Sequence, residues 1–457
     1  MKLLLYAEPS FCFDLVHSTR PDINASDFFG IIASTLVNDT QTSIRSIVPG
    51  QFQYLNGIHH SLDIFNPIPV SFNELLSVFT NATSLLSIYK CIYNESYTDN
   101  EAKNFRQLIV NKLGDNWAPD IVITYPIHNS ILKQIFPKAL HLQMENGILS
   151  RSPFPASIKF DPFHYANEFV RRFRNEIQHL NVSEHDRELI QNLAQDLRAL
   201  IQPSDSTRHS LANLRKRYKH ILLLPVLASN CYNESSCDDQ LSFIHSVMTK
   251  LPVDMAVVAT FHDTVDAQIN STTFQYLHLI FPNLYYLQTS KTDNSSAVFF
   301  PYVDAVVNCS TMTGMQAKLF GVRVVAIDKR YSHGFADKIG LDGLSEWLSE
   351  PAPDTTPELV WLLTHGNIFD RRYNEDGWNF KYLNTLLHQF RAKGITPHLF
   401  PKIENLDEIT KYIIKKAKSN IRINKMRSFV PEFILYVLFK AKTAILNAKR
   451  KNRRAHT

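Results

Sequence analysis

Glycine is scarce in this chain, 13 residues of 457 against 22 prolines. No G-x-G-x-x-G and no G-x-x-x-x-G-K-[ST] occurs. That excludes the Gly-rich dinucleotide fingerprint and the P-loop, which both need a bare backbone against phosphate. Cysteine is also sparse: Cys12, Cys91, Cys231, Cys237 and Cys309 make an odd five. A chain of this size needs no disulfide staples, so free thiols in a reducing cytoplasm are expected. No apolar run reaches the length of about 18 residues that a membrane-spanning helix requires. The opening apolar run is too short for a signal-peptide core and is cut by Glu8; it is expected to be a first strand. Nine N-x-[ST] sequons, Asn24, Asn38, Asn233 and Asn308 among them, follow from an Asn- and Ser-rich composition.

What is present is an ordinary globular composition, 44% hydrophobic and 20% charged, long enough for two cores. The net charge of +5 hides an asymmetry. Residues 411–457 hold fourteen Lys or Arg and one acid, Glu432, a net +13, so residues 1–410 carry a net −8. The basic tail therefore calls for an acidic partner of its own. Within it, Val430–Leu446 is amphipathic, with Phe433, Leu435, Leu438, Phe439 and Ile445 on the apolar side and Lys440 and Lys442 among them. Such a helix suits the interface of an anionic membrane, on its inner face. The alternatives are a helix packed back onto the first domain, or a nucleic-acid contact. Nothing aromatic and basic recurs elsewhere, so no nucleic acid is expected as a partner.

Short apolar runs alternate with helical patterns throughout. Lys2–Ala7, Thr42–Val48, Leu62–Ile64, Ile121–Tyr125 and Leu140–Met144 are predicted strands of one parallel sheet. His220–Val226, Asp254–Ala259, Leu284–Leu287, Val303–Val307 and Val322–Ile327 are predicted strands of a second. Between them, Ser183-x-x-Asp186 opens a helix, and the turn-rich Pro203–Thr207 marks a boundary. The predicted architecture is α/β: two Rossmann-like domains, residues 1–205 and 206–405, with a ligand cleft between them and a basic helical tail over 406–457. In doubly wound units the cleft lies at the C-terminal ends of the strands.

Three polar segments follow predicted strands. Glu145-Asn146-Gly147 sets a carboxylate where it can act as a general base, with glycine allowing a tight turn, or it is a solvated turn. His262-Asp263 can hold a phosphate or ribose, or His262 is structural. Ser310, Thr311 and Thr313 lead through Gly314 and Gln316 into a helix. Their hydroxyls and the backbone N–H groups offer an anion site, or they simply cap the helix, and both can hold together. Lys329 and Arg330, after Val322–Ile327, are either carboxylate partners or surface charges.

Together these residues resemble the pattern of transferases that use CMP-activated acidic sugars: an acidic-acidic-Gly turn, a His-Pro pair and a Ser/Thr pair, in that order. The closer likeness is to the retaining β-Kdo transferases of capsule and O-antigen assembly. Their acid-x-Gly turn, Arg-Ser stretch and Ser-φ-x-φ-Asp strand are matched by Glu145–Ser152 and Ser157-Ile158-Lys159-Phe160-Asp161. Their Ser/Thr-x-x-Gly segment is matched by Ser310–Ile327, and their aromatic-Ala-Gly-aromatic loop by Tyr331–Asp337. Asn146 stands in place of the second acid and Asp263 in place of the proline. No carboxylate directly follows His220–Val226 to serve as a nucleophile; Glu234, Asp238 and Asp239 come later.

The resemblance implies a GT-B-like glycosyltransferase. Its donor would be CMP-Kdo or a related nonulosonate, and its acceptor a saccharide or lipid-linked glycan. Ser310, Thr311, Thr313, Gly314 and Gln316 would hold the donor phosphate, His262 the nucleotide, and Lys329 and Arg330 the sugar carboxylate. Glu145 would face the acceptor hydroxyl, with Asn146, Gly147 and Asp263 lining the cleft. CMP is already a fair leaving group and no D-x-D pair occurs, so neither metal nor cofactor is expected. The alternatives are a transferase using a UDP- or GDP-sugar, or a degenerate relative that only binds glycan.

Overall fold

The structure, a computed structural model, describes residues 1–10, 29, 30, 32, 36, 42–50, 67–114, 116–149, 153–163, 167–226, 239–261, 271–287, 296–308, 313–327, 335–375 and 377–428. Among these residues the chain forms two sheets. The first contains β1 (Lys2–Ala7), β2 (Ser43–Pro49), β3 (Pro67–Val70), β4 (Ile121–Tyr125), β5 (Leu140–Asn146) and β6 (Ser157–Asp161). The second contains β7 (His220–Val226), β8 (Met255–Phe261), β9 (Leu284–Tyr286), β10 (Ala305–Asn308), β11 (Arg323–Ala326) and β12 (Lys338–Ile339). A last strand, β13 (Ile368–Phe369), returns to the first sheet.

Strand order is β3-β2-β1-β4-β5-β6-β13 in the first sheet and β9-β8-β7-β10-β11-β12 in the second. All pairings in the second sheet are parallel. In the first, β1 to β5 are parallel, and β6 and β13 add antiparallel pairings. Each sheet reverses direction of winding once, between β1 and β4 and between β7 and β10. That is the Rossmann-like pattern predicted from the alternation of runs. β4 and β7 are buried along their whole length, as strands covered by helices on both faces must be.

The predicted strand at Leu62–Ile64 lies outside the described residues. The third strand of the first sheet is Pro67-Ile68-Pro69-Val70, which sequence reasoning passes over because of its prolines. It is tolerated because β3 is an edge strand and two missing N–H donors are harmless there.

The helix Glu184–Leu200 begins with a reciprocal capping box between Ser183 and Asp186, as the spacing predicts. In the turn-rich segment, Ser204 caps the helix Asp205–Arg217 that feeds β7. β13 pairs with β6 (Ile368 opposite Ile158, Phe369 opposite Ser157), so the chain crosses back to the first sheet well before residue 405. The helix Leu406–Ser428 then lies against Glu184–Leu200 and buries Ile409, Ile413 and Ala417 completely. Asn420 donates to the Pro153 carbonyl at 2.8 Å. The first third of the basic tail is thus packed on protein, and residues 429–457 lie outside the described residues. Among the described residues no helix is long and apolar enough to cross a membrane.

A buried ionic cluster ties the second sheet to these returning segments. Lys318, in the helix Thr313–Leu319, lies 2.8 Å from Asp337 Oδ1 and 2.8 Å from Glu358 Oε2, with all three side chains 1% exposed. Arg174 Nε reaches Glu358 Oε1 at 2.8 Å, and Arg174 Nη1 donates to the Ala336 carbonyl at 2.9 Å. Asp337 Oδ2 also accepts the Val324 N–H of β11.

Candidate functional site

The C-terminal ends of β1, β4, β5 and β6 carry a row of polar side chains. Register gives the row directly: Tyr6 is opposite Thr124, Thr124 opposite Gln143, and Gln143 opposite Asp161. One rung further on, Glu145 is opposite Lys159. Side chains alternate across a strand, so these residues share one face. The other face holds Ala7, Tyr125, Met144 and Phe160, all in the apolar core. Asn146 therefore leaves β5 on the opposite side from Glu145, and the two do not form a paired site.

The Glu145–Lys159–Asp161 cluster is the most charged part of this row. The Lys159 ammonium is buried, donates to Asn167 Oδ1 at 2.5 Å and touches Met315 Sδ at 3.9 Å. Burial pulls its pKa below the usual lysine range, opposed by the charges of Glu145 and Asp161. Asp161 is buried and held above the usual carboxylate range, although it accepts the Phe163 and Phe169 N–H groups and faces Lys159. Gln143 donates to the Pro126 carbonyl at 2.5 Å. Its Oε1 and the Thr124 hydroxyl have no hydrogen-bond partner among the described residues. Behind them, His141 is kept neutral by burial, its pKa pulled down to about 4.

Gly147 opens the β5–β6 connection, and it is a glycine for reasons of space. A Cβ there would lie 2.2 Å from Ser157 Oγ and 2.6 Å from Asn367 Oδ1. Asn367 in turn accepts the Ile148 N–H and donates to the Leu362 carbonyl. The sequence suggests that this glycine serves a tight turn. The structure shows close packing of the returning chain against β6.

Met315 belongs to the helix Thr313–Leu319, which follows β10 at the reversal point of the second sheet. Gly314 lets this helix press onto the strand ends, since a Cβ would lie 2.8 Å from Asn308 Nδ2 and 3.1 Å from Val324 Cγ1. Gln316 is buried and Thr313 half-buried. At the far end Arg198 donates to the Phe320 carbonyl, closing the helix beside Gly321, whose φ of +67° suits glycine. The Lys159–Met315 contact thus brings the Glu145 rung of the first sheet to one side chain from the Thr313–Gln316 segment of the second. His262, Asp263, Ser310, Thr311, Lys329 and Arg330 lie outside the described residues. In chain order they follow β8, β10 and β11.

Sequence reasoning missed Glu8. It is fully buried just past β1, at the reversal point of the first sheet, and accepts from Ser10 Oγ (2.7 Å), Asn129 Nδ2 (3.0 Å) and Tyr6 Oη (3.1 Å). Burial raises its pKa, and the donors from Ser10, Asn129 and Tyr6 oppose the rise. Asn129 also caps the helix Ser130–Ile135 with its other amide atom. A carboxylate directly after the first strand was the available signal.

No known protein family matches the sequence, and no curated protein does. Solved structures similar to this chain include KpsC, a β-Kdo 2,7 transferase of Thermosulfurimonas dismutans. It is 15% identical, with 63% of this chain and 89% of that one covered and a TM-score of 0.37. The UDP-GlcNAc 2-epimerase of Methanocaldococcus jannaschii is 11% identical, covering 79% and 99%, with a TM-score of 0.31. The heptosyltransferase WaaC of E. coli is 10% identical, covering 76% and 99%, with a TM-score of 0.22.

Proposed function

We propose that this chain is a metal-independent glycosyltransferase of GT-B arrangement that transfers Kdo or a related acidic sugar from a CMP-activated donor to a saccharide or lipid-linked acceptor. One observation carries this reading: Lys159, opposite Glu145 across the β5–β6 pair, touches Met315 of the helix that follows β10. The resemblance of that segment to a donor-phosphate loop supports a shared groove for acceptor chemistry and donor binding.

In this reading Ser310, Thr311 and Thr313 hold the donor phosphate, and His262 contacts the nucleotide. Lys329 and Arg330 pair with the sugar carboxylate, since guanidinium and ammonium donors suit it. The acceptor hydroxyl loses its proton to Glu145 as its oxygen bonds to the anomeric carbon. The bond from that carbon to the phosphate oxygen breaks, and CMP leaves with the electron pair.

The test is a donor assay on the full chain. CMP-Kdo is offered with a saccharide acceptor, in parallel with UDP- and GDP-sugars. Acceptor-dependent CMP release is the expected result. Turnover of a UDP- or GDP-sugar alone overturns the CMP assignment. CMP binding without turnover of any donor overturns transfer itself.

A further inference from the structure

Seven of the fourteen basic residues counted from position 411 onward lie on the helix Leu406–Ser428. Ile409, Ile413 and Ala417 form its inner stripe, fully buried against the protein. Lys411, Lys415, Lys418 and Arg422 are exposed and recur at intervals of four, three and four residues. At 3.6 residues per turn these positions span about 60° of the helix circumference, on the side away from the inner stripe. The acids of the helix, Asp407 and Glu408, stand in its first turn, and no other acid occurs before Glu432. Lys411 lies 2.6 Å from Asp407. Lys416, on the flank, lies 3.4 Å from Asp370 and over the Tyr412 ring. The side chains of Lys415, Lys418 and Arg422 form no ion pair or hydrogen bond among the described residues. Three uncompensated cations thus occupy about 10 Å of one helical face.

We infer that the outer face of the helix Leu406–Ser428 docks on the anionic headgroups of a lipid bilayer, with the helix axis parallel to the membrane surface. Two observations select this partner. Cations spaced along one side of a helix meet a plane of negative charge together when that helix lies flat on it. Shortly beyond the helix the chain reads Phe433-Ile434-Leu435-Tyr436-Val437-Leu438-Phe439, a run without charge, followed by Lys440 and Lys442. Apolar residues beside a basic stripe suit the boundary of headgroup and acyl chain, whereas a nucleic acid would engage the stripe and leave the run unused. The helix is held to the protein by its buried stripe and by Asn420, which donates to the Pro153 carbonyl. Membrane contact through its outer face therefore orients the body of the protein rather than tethering it loosely. The inference stands on the helix and its charges and does not depend on the transferase reading.

The experiment is vesicle co-sedimentation of the full-length protein. Vesicles of phosphatidylcholine alone are compared with vesicles in which one third of the lipid is phosphatidylglycerol, at low and high salt. The proteins are wild type, Lys415→Gln/Lys418→Gln/Arg422→Gln and the charge-keeping Lys415→Arg/Lys418→Arg. A control, Lys103→Gln/Arg106→Gln/Lys138→Gln, removes three exposed charges from the first-sheet domain. Wild type is expected to bind the anionic vesicles and not the neutral ones, and to bind less at high salt. Each basic residue at the surface contributes about five-fold in partitioning, so the triple variant on the helix is expected to bind on the order of 100-fold more weakly. The charge-keeping variant and the control are expected to bind as wild type does. Should the triple variant fail to fold, Lys418→Gln alone, with an expected loss of about five-fold, carries the test. Wild-type binding by the helix variants overturns the inference, because the residues after 428 then suffice. An equal loss in the control overturns it too, because net charge then explains the binding. Wild type that ignores anionic lipid, or that binds an oligonucleotide more tightly through the same three residues, overturns lipid as the partner.

Discussion

Replacing Glu145 with Gln is expected to lower kcat for sugar transfer by about 10²–10⁴-fold, the usual contribution of a positioned acid or base. Melting temperature and CMP affinity are expected to stay near wild type. Gln keeps the size of the side chain and its place on the β5 face, but it cannot take the acceptor proton. The neighbours define why this carboxylate is the one to remove. Asp161 is buried and accepts one backbone N–H bond on each of its oxygens. Glu8 is enclosed by Ser10, Asn129 and Tyr6. Glu145 is half-buried, lies at the end of its strand and faces Lys159. Initial rates with saturating donor, together with a CMP titration, separate a chemical defect from a binding defect. A Glu145→Gln enzyme within a few-fold of wild type contradicts the role.

The second large effect concerns stability. Lys318→Met is expected to cost about 3–5 kcal/mol, the range for removing one partner of a buried ion pair. The substitution leaves Asp337 and Glu358 facing each other across an apolar side chain, each 1% exposed. Arg174 compensates only Glu358, because its other bond goes to the Ala336 carbonyl. Adding Asp337→Asn and Glu358→Gln removes the stranded charges, and this triple variant is expected to recover a large part of the loss. Denaturant unfolding read at several wavelengths measures both. A single variant within about 0.5 kcal/mol of wild type, as for an ordinary surface position, would mean that the cluster contributes no fixed geometry.

The apolar runs carry most of the fold. Ile121–Tyr125 and His220–Val226 emerge with the same limits from sequence and structure, because both are short, largely apolar runs entered from a charged residue, Asp120 and Lys219. β3 escapes because its prolines argue against a strand unless its edge position is already known. β13 escapes because two residues, Ile368 and Phe369, have no period to detect. Its partner β6 lies some 200 residues earlier, and only tertiary packing pairs them.

The site was legible in part. Glu145 follows a buried strand, a local feature. Its separation from Asn146 onto opposite faces follows from the antiparallel return of β6, which extends β5 through residue 146. Glu8 was hidden because its meaning depends on Asn129, 121 residues away. Lys159 belongs to a short strand pattern visible in the sequence, but its nearness to Glu145, Asp161 and Met315 appears only in the fold.

A crystal structure of the chain with CMP tests the central claim most directly. The account requires the CMP phosphate to be hydrogen-bonded to hydroxyls between β10 and the helix Thr313–Leu319, with the Glu145 carboxylate open to the same groove. CMP seated elsewhere, or bound there with Glu145 walled off from it, would contradict the account.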